Sequence, residues 1–303
     1  MRIGIDSFEP LTINYIEMKI SGVWLPIITP FKEDEIDYES YNRLIESYIQ
    51  KGISGIIAGA TTGESPVLTE FESEELASKT LEFVNGRIPV YFGLGGNCTR
   101  DMVQQVKAFE KISIQGILSV SPYYNRPDQR GIYEHFKAIS ESTSLPVVLY
   151  NIPYRTGRNM ENDTILKLAE LDNIIGIKDS CGNVSQTIEL LTLKPENFSV
   201  LTGDDLMYFT LLAHGGDGGI LASAHIFTDK FVSIYNLMQN NNYKAALSEW
   251  KQLTRIIPLL FAEPNPAPLK YILQKQQLIT SGEIRLPLME ITESLKRQID
   301  RWV

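Results

Sequence analysis

The sequence predicts a parallel (β/α)8 barrel followed by a C-terminal helical extension. Three observations carry this. Eight short strand-like runs alternate with helix-like runs, the alternation stops after residue 225, and the glycine fingerprint of the competing doubly wound sheet is missing.

In order, the strand-like runs are "VWLPIIT", "GIIAGA", "PVYFGLG", "GILSVSP", "PVVLYN", "IIGIKD", "FSVLTGD" and "GGILAS". They are short and apolar with little alternation, as expected of strands covered on both faces. Between the first two, Tyr41, Leu44, Ile45, Tyr48 and Ile49 follow helical spacing, and Gly52 falls where a C-terminal cap is expected. The next helix opens with Thr69 and Glu72 in the Thr-x-x-Glu pattern of a capping box. The first strand ends in "TPF" and "GLGGNC" lacks a third glycine, so neither carries a dinucleotide-binding turn. "HGGDGG" reads as a tight connection into the eighth strand, with phosphate binding as the lesser alternative. Beyond residue 225 the chain reads as helices broken by the Pro-rich "EPNPAP".

The chain has 303 residues, 43% of them hydrophobic and 21% charged, with a net charge of -9. That excess of acid argues against nucleic acid or an anionic membrane as partner. Cys98 and Cys181 are far apart and read as free cytosolic thiols. The first 20 residues carry Asp6, Glu9 and Glu17 and lack a signal peptide's apolar core, so a cytoplasmic enzyme is expected. No metal is expected, because His135, His214 and His225 form no pair at ligand spacing. His135 reads as a helix-surface residue, and the acidic runs "KEDE" and "ESEE" as solvated faces.

In a barrel the C-terminal strand ends point into the site. Here they read "GATTGES", "SPYYNRP", "YNIPYRTG", "IKDS", "TGDD" and "GILAS", and one ends directly on a lysine, Lys178. Two readings of it stand. The lysine can snorkel its head to solvent, or burial can lower its pKa and free an amine that attacks a ketone to form a Schiff base. The second reading needs a proton shuttle and a carboxylate cradle. Tyr150 offers a phenol, and Thr61 and Thr62 offer hydroxyls before Gly63 in a turn whose N–H groups can hold an anion. Arg155 suits a second carboxylate, or is a surface arginine.

Together, "GATTGES", "SPYYNRP", "YNIPYRTG", "NIIGIKDS", "TGDD" and "EPNPAPLK" resemble the signatures of the dihydrodipicolinate synthase and N-acetylneuraminate lyase family, in order, from about residue 18 to the C-terminus. The resemblance implies a barrel over 18–225, a helical domain over 226–303 and a dispensable N-terminal extension over 1–17. It also implies a homotetramer and a Schiff-base lysine that binds pyruvate, with no other cofactor. "TTGE" and the "RTG" after "YNIPY" favour the synthase members, which condense pyruvate with L-aspartate 4-semialdehyde. The alternatives are a pyruvate lyase acting on a sugar acid and a non-catalytic keto-acid-binding relative. By resemblance Lys178 carries the imine, and Thr61 and Thr62 hold the pyruvate carboxylate. Tyr150, Thr61 and Tyr124 form a proton relay, with Tyr124 reaching in from a neighbouring subunit, and Arg155 receives the aldehyde's carboxylate. Gly203 and Ile220 line the site through their backbone carbonyls, so their side chains are expected to matter less. L-lysine as an effector would meet Ser65, Pro66, Glu70, Ser73, Asn97, Asp101 and Tyr123. Asp101 stands where sensitive relatives have a longer glutamate, so weak inhibition is expected.

Overall fold

The structure, a computed structural model, describes residues 19–303. The extension read at 1–17 lies outside them. Eight parallel strands close into a barrel: β1 (Gly22–Pro26), β2 (Gly55–Ala58), β3 (Val90–Leu94), β4 (Gly116–Val120), β5 (Val147–Asn151), β6 (Ile174–Asp179), β7 (Ser199–Thr202) and β8 (Gly218–Ile220). Each pairs with its sequence neighbour, and β8 closes on β1 with Trp24 opposite Ile220. All eight sequence-read strands are there, and closure excludes the open doubly wound sheet.

The barrel helices are α1 (Tyr38–Gln50), α2 (Glu70–Val84), α3 (Thr99–Glu110), α4 (Gln129–Ser140), α5 (Asn162–Leu168), α6 (Val184–Leu193), α7 (Tyr208–Ala213) and α8 (Ala224–Gln239). α1 starts where the Asp37 carboxylate accepts the Ser40 N–H at 2.9 Å, and buries Tyr41, Leu44, Ile45 and Tyr48. Gly52 follows its end at φ +81°, a conformation that costs glycine little. The capping box before α2 is complete: Thr69 accepts from Glu72 N–H, and Glu72 accepts from Thr69 N–H. α8 packs on β1 and runs across the 225/226 boundary, so the eighth β/α unit and the extension share one helix. The extension continues with α9 (Tyr243–Leu253), α10 (Ile257–Leu260), α11 (Ala267–Lys275) and α12 (Glu293–Ile299).

Two apolar clusters result. The larger lies between strands and helices; the smaller fills the barrel with Trp24, Ile57, Tyr91, Leu118, Val148, Tyr150, Ile175, Leu201 and Ile220. Among the described residues no helix is long and apolar enough to cross a membrane.

Two readings need correction. His135 is not on the helix surface: it is 3% exposed, and its Nδ1 pairs with Thr99 Oγ1 at 2.9 Å. Its spacing of three from Ile132 puts it on the inner face of α4, with Phe136 and Ile139. "ESEE" is not wholly solvated, because Glu72 Oε1 meets Arg285 Nη2 at 2.6 Å.

Candidate active site

Strict alternation along β6 would not bring Lys178 inward. Ile174 and Ile177 belong to the outer cluster and Ile175 to the interior one, an odd three residues before Lys178. An irregularity repairs the phase: Val147 pairs with Ile174, but Val148 pairs with Gly176. After this bulge Lys178 lies opposite Tyr150 and turns into the barrel, with Nζ 4.4 Å from the Tyr150 ring centroid.

Lys178 is 5% exposed. Burial pulls its ammonium down to about 8, with the Arg155 cation pushing the same way and the Asp205 anion opposing. At pH 7 roughly a tenth of a lysine with such a pKa is free amine, about 300 times the fraction at an ordinary pKa. Asp205, at the end of β7, is buried too, and burial raises its carboxyl to about 6. Its Oδ1 accepts the Ser223 N–H at 2.6 Å, tying the ends of β7 and β8 together. Burial also pushes the Tyr150 phenol above its ordinary range, so it stays protonated and acts as a donor.

A cavity of about 600 Å³ opens beside these groups and is lined by Thr61, Tyr150, Ile152 and Arg155. Its lining also includes Ser65, Pro66, Glu70, Ser73, Asp101 and Tyr123, so most of the effector positions share the cavity. Asn97 is not in the lining; its carbonyl accepts from Asn125 Nδ2 at 2.8 Å. Lys178 is not in the lining either and stands behind Tyr150, which is. Arg155 is exposed, with its guanidinium 5.1 Å from the Tyr154 ring centroid. Tyr124 is 90% exposed at φ +72° and lies outside the cavity of its own chain.

Thr61–Gly63 form a single 3-10 turn. Thr29 Oγ1 donates to Gly63 O at 2.7 Å, and Glu64 leaves the turn at φ +57°. The extension holds the turn from the other side. Asn265 Nδ2 donates to Thr62 Oγ1 at 2.9 Å, and Lys270 Nζ meets Glu64 Oε1 at 2.5 Å with both side chains buried. The Arg285 backbone N–H donates to Glu64 Oε2 at 3.3 Å.

Gly203 packs directly against Lys178. A Cβ there would come within 2.5 Å of Lys178 Cε and 2.3 Å of Ser180 Oγ, so the absence of a side chain is itself required. The Ile220 side chain is 1% exposed and packs in the barrel interior. Sequence reading assigned no role to Asp205, Asn265, Lys270 or Glu64. Each sits inside a quoted motif, "TGDD", "EPNPAPLK" or "GATTGES", but nothing local says that "EPNPAPLK" folds back onto "GATTGES".

A barrel carrying a buried, deprotonable lysine beside a tyrosine, over a cavity with hydroxyls and an arginine, defines a lyase-type site. The model of the dihydrodipicolinate synthetase family matches residues 19–303, and the chain belongs to that family. A 4-hydroxy-tetrahydrodipicolinate synthase 2 of Clostridium acetobutylicum is 56% identical over 286 residues, 94% of this chain and 100% of that protein. The crystal structure of a chloride-inhibited dihydrodipicolinate synthase from Acinetobacter baumannii complexed with pyruvate superposes with a TM-score of 0.90 at 35% identity, covering 93% of this chain and 97% of that one. The enzyme of Cyanidioschyzon merolae with lysine bound gives a TM-score of 0.90 at 33% identity, over 93% and 96%. The function is that of a 4-hydroxy-tetrahydrodipicolinate synthase, a lyase of lysine biosynthesis.

Proposed function

We propose that Lys178 captures pyruvate as a Schiff base and that the resulting enamine attacks L-aspartate 4-semialdehyde. The observation that carries this is the Lys178 amine, buried, brought to about 8 and held 4.4 Å from the Tyr150 ring. The free amine adds to the ketone and water leaves, giving an iminium. Loss of a methyl proton gives the enamine, which forms the carbon–carbon bond to the aldehyde. The substrate's own amine then displaces Lys178 as the ring closes. Tyr150 and Thr61 lie on the cavity to pass protons, with Tyr124 supplied by a neighbouring subunit. Thr61 and Thr62 take the pyruvate carboxylate, and the exposed Arg155 takes the second substrate's carboxylate at the mouth. The sugar-acid lyase alternative would keep Lys178 and Tyr150 but give Arg155 no such partner.

Borohydride reduction with pyruvate should add mass to the peptide carrying Lys178; an adduct on any other lysine would sink the assignment. Arg155→Ala should trap pyruvate normally while losing on the order of 2–5 kcal/mol of transition-state binding for the aldehyde. Equal loss of trapping would remove Arg155 from that role.

The enzyme is proposed to work in the cytoplasm as a homotetramer. Two free cysteines, Cys98 and Cys181, fit a reducing compartment, and the outward Tyr124 fits a partner. L-lysine is proposed as a weak inhibitor, since Asp101 is short and 3.5 Å from Arg100. A lysine titration of the initial rate checks this, and strong inhibition at sub-millimolar lysine would count against it.

A further inference from the structure

We propose that Asn265, in the C-terminal extension, is a positioning residue that fixes Thr62 as a hydrogen-bond donor to the substrate carboxylate. This rests on the proposed role of Thr62 in the cradle.

A threonine hydroxyl has one proton and two lone pairs. Asn265 Nδ2 donates to Thr62 Oγ1 at 2.9 Å, with Thr62 3% and Asn265 8% exposed. Because an amide N–H fills a lone pair of Oγ1, the hydroxyl's own proton is left to be given elsewhere. An anion beside Thr62 then meets the positive end of that O–H. If the neighbour were an acceptor, the proton would be spent on it and Oγ1 would turn lone pairs toward the anion.

Two further observations separate this from a scaffold role. Asn265 Oδ1 is buried without a hydrogen-bond partner, so Thr62 is the one side-chain hydrogen-bond partner of this amide among the described residues. A buried amide kept only to brace a loop is expected to have both ends satisfied. The turn is also braced without it: Thr29 holds Gly63 O, and Lys270 holds Glu64. Loss of Asn265 therefore frees the hydroxyl while the turn stays anchored.

The test compares steady-state kinetics of Asn265→Ala, Asn265→Asp, Thr62→Val and the Asn265→Ala/Thr62→Val pair with wild type between pH 5.5 and 8.5. Melting temperatures of each confirm folding. Asn265→Ala should raise KM for pyruvate roughly tenfold, the effect of one hydrogen bond to a charged group, with little change in kcat. Asn265→Asp gives the sharper readout. Once ionised, its carboxylate accepts the Thr62 proton, so KM relative to wild type should climb with pH and recover as the acid is protonated. In the double variant the Asn265→Ala effect should vanish, because the hydroxyl it acts through is gone. A KM for Asn265→Asp that stays near wild type across the range, or additive effects in the pair, would overturn the proposal while leaving the Thr62 cradle in place. An unchanged pyruvate KM in Thr62→Val would overturn both.

Discussion

At the scale of residues, the site turns on a competition at Lys178. Burial lowers its affinity for a proton, Arg155 lowers it further, and Asp205 restores part of it. The sign of each contribution gives a prediction. Imine formation should accelerate as pH rises through about 8, since only the free amine attacks. Asp205→Asn removes the anion that holds the proton, so the midpoint of that rise should move to lower pH. Trapping rates with pyruvate and borohydride across pH 6–10 measure it, and a midpoint moved upward would refute the role given to Asp205. Lys178 itself was legible in the sequence because a lysine ending an apolar strand is rare and costly. Asp205 was not, since a burial that only the ends of β7 and β8 create is invisible in "TGDD".

At the scale of elements, the strands were legible because buried parallel strands are short apolar runs, and the helices because their apolar spacing and caps are local. The bulge in β6 was not: a period of two cannot reveal where one residue is added, and here that residue decides which way Lys178 faces. The docking of α11 on the Thr61–Gly63 turn was equally hidden. Its centre is the buried Lys270–Glu64 pair, with Lys270 Nζ 4.2 Å from the Phe31 ring centroid and also donating to Glu283 O at 2.8 Å. Removing one partner leaves an uncompensated buried charge, so Lys270→Met should cost about 3–5 kcal/mol in stability. Pairing it with Glu64→Gln should recover a good part of that loss. Denaturant unfolding of the single and double variants checks this, and a Lys270→Met variant as stable as wild type would show that no uncompensated buried charge is left on Glu64.

At the scale of the whole molecule, the single chain presents Tyr124 outward and keeps Tyr150 and Thr61 on its cavity. If the relay is completed across subunits, Tyr124→Ala and Lys178→Ala are each inactive for different reasons and complement one another. Mixing the two after partial denaturation and refolding should regain a measurable fraction of wild-type activity, because one mixed site has both groups intact. No recovery above the separate variants would place Tyr124 outside the relay. The tether between the two ends of the chain has a consequence of another kind. Thr62 and Asn265 are 203 residues apart in sequence, and Arg285 is 221 residues from Glu64. A ribosome emits the chain from its N-terminus, and units that leave first can fold first. All eight strands are therefore translated before the extension's residues that brace the Thr61–Gly63 turn, Asn265, Lys270 and Arg285. The growing polypeptide can close its barrel, but the contacts of Thr62 and Glu64 with the extension stay unmade until residues 265–285 have been read.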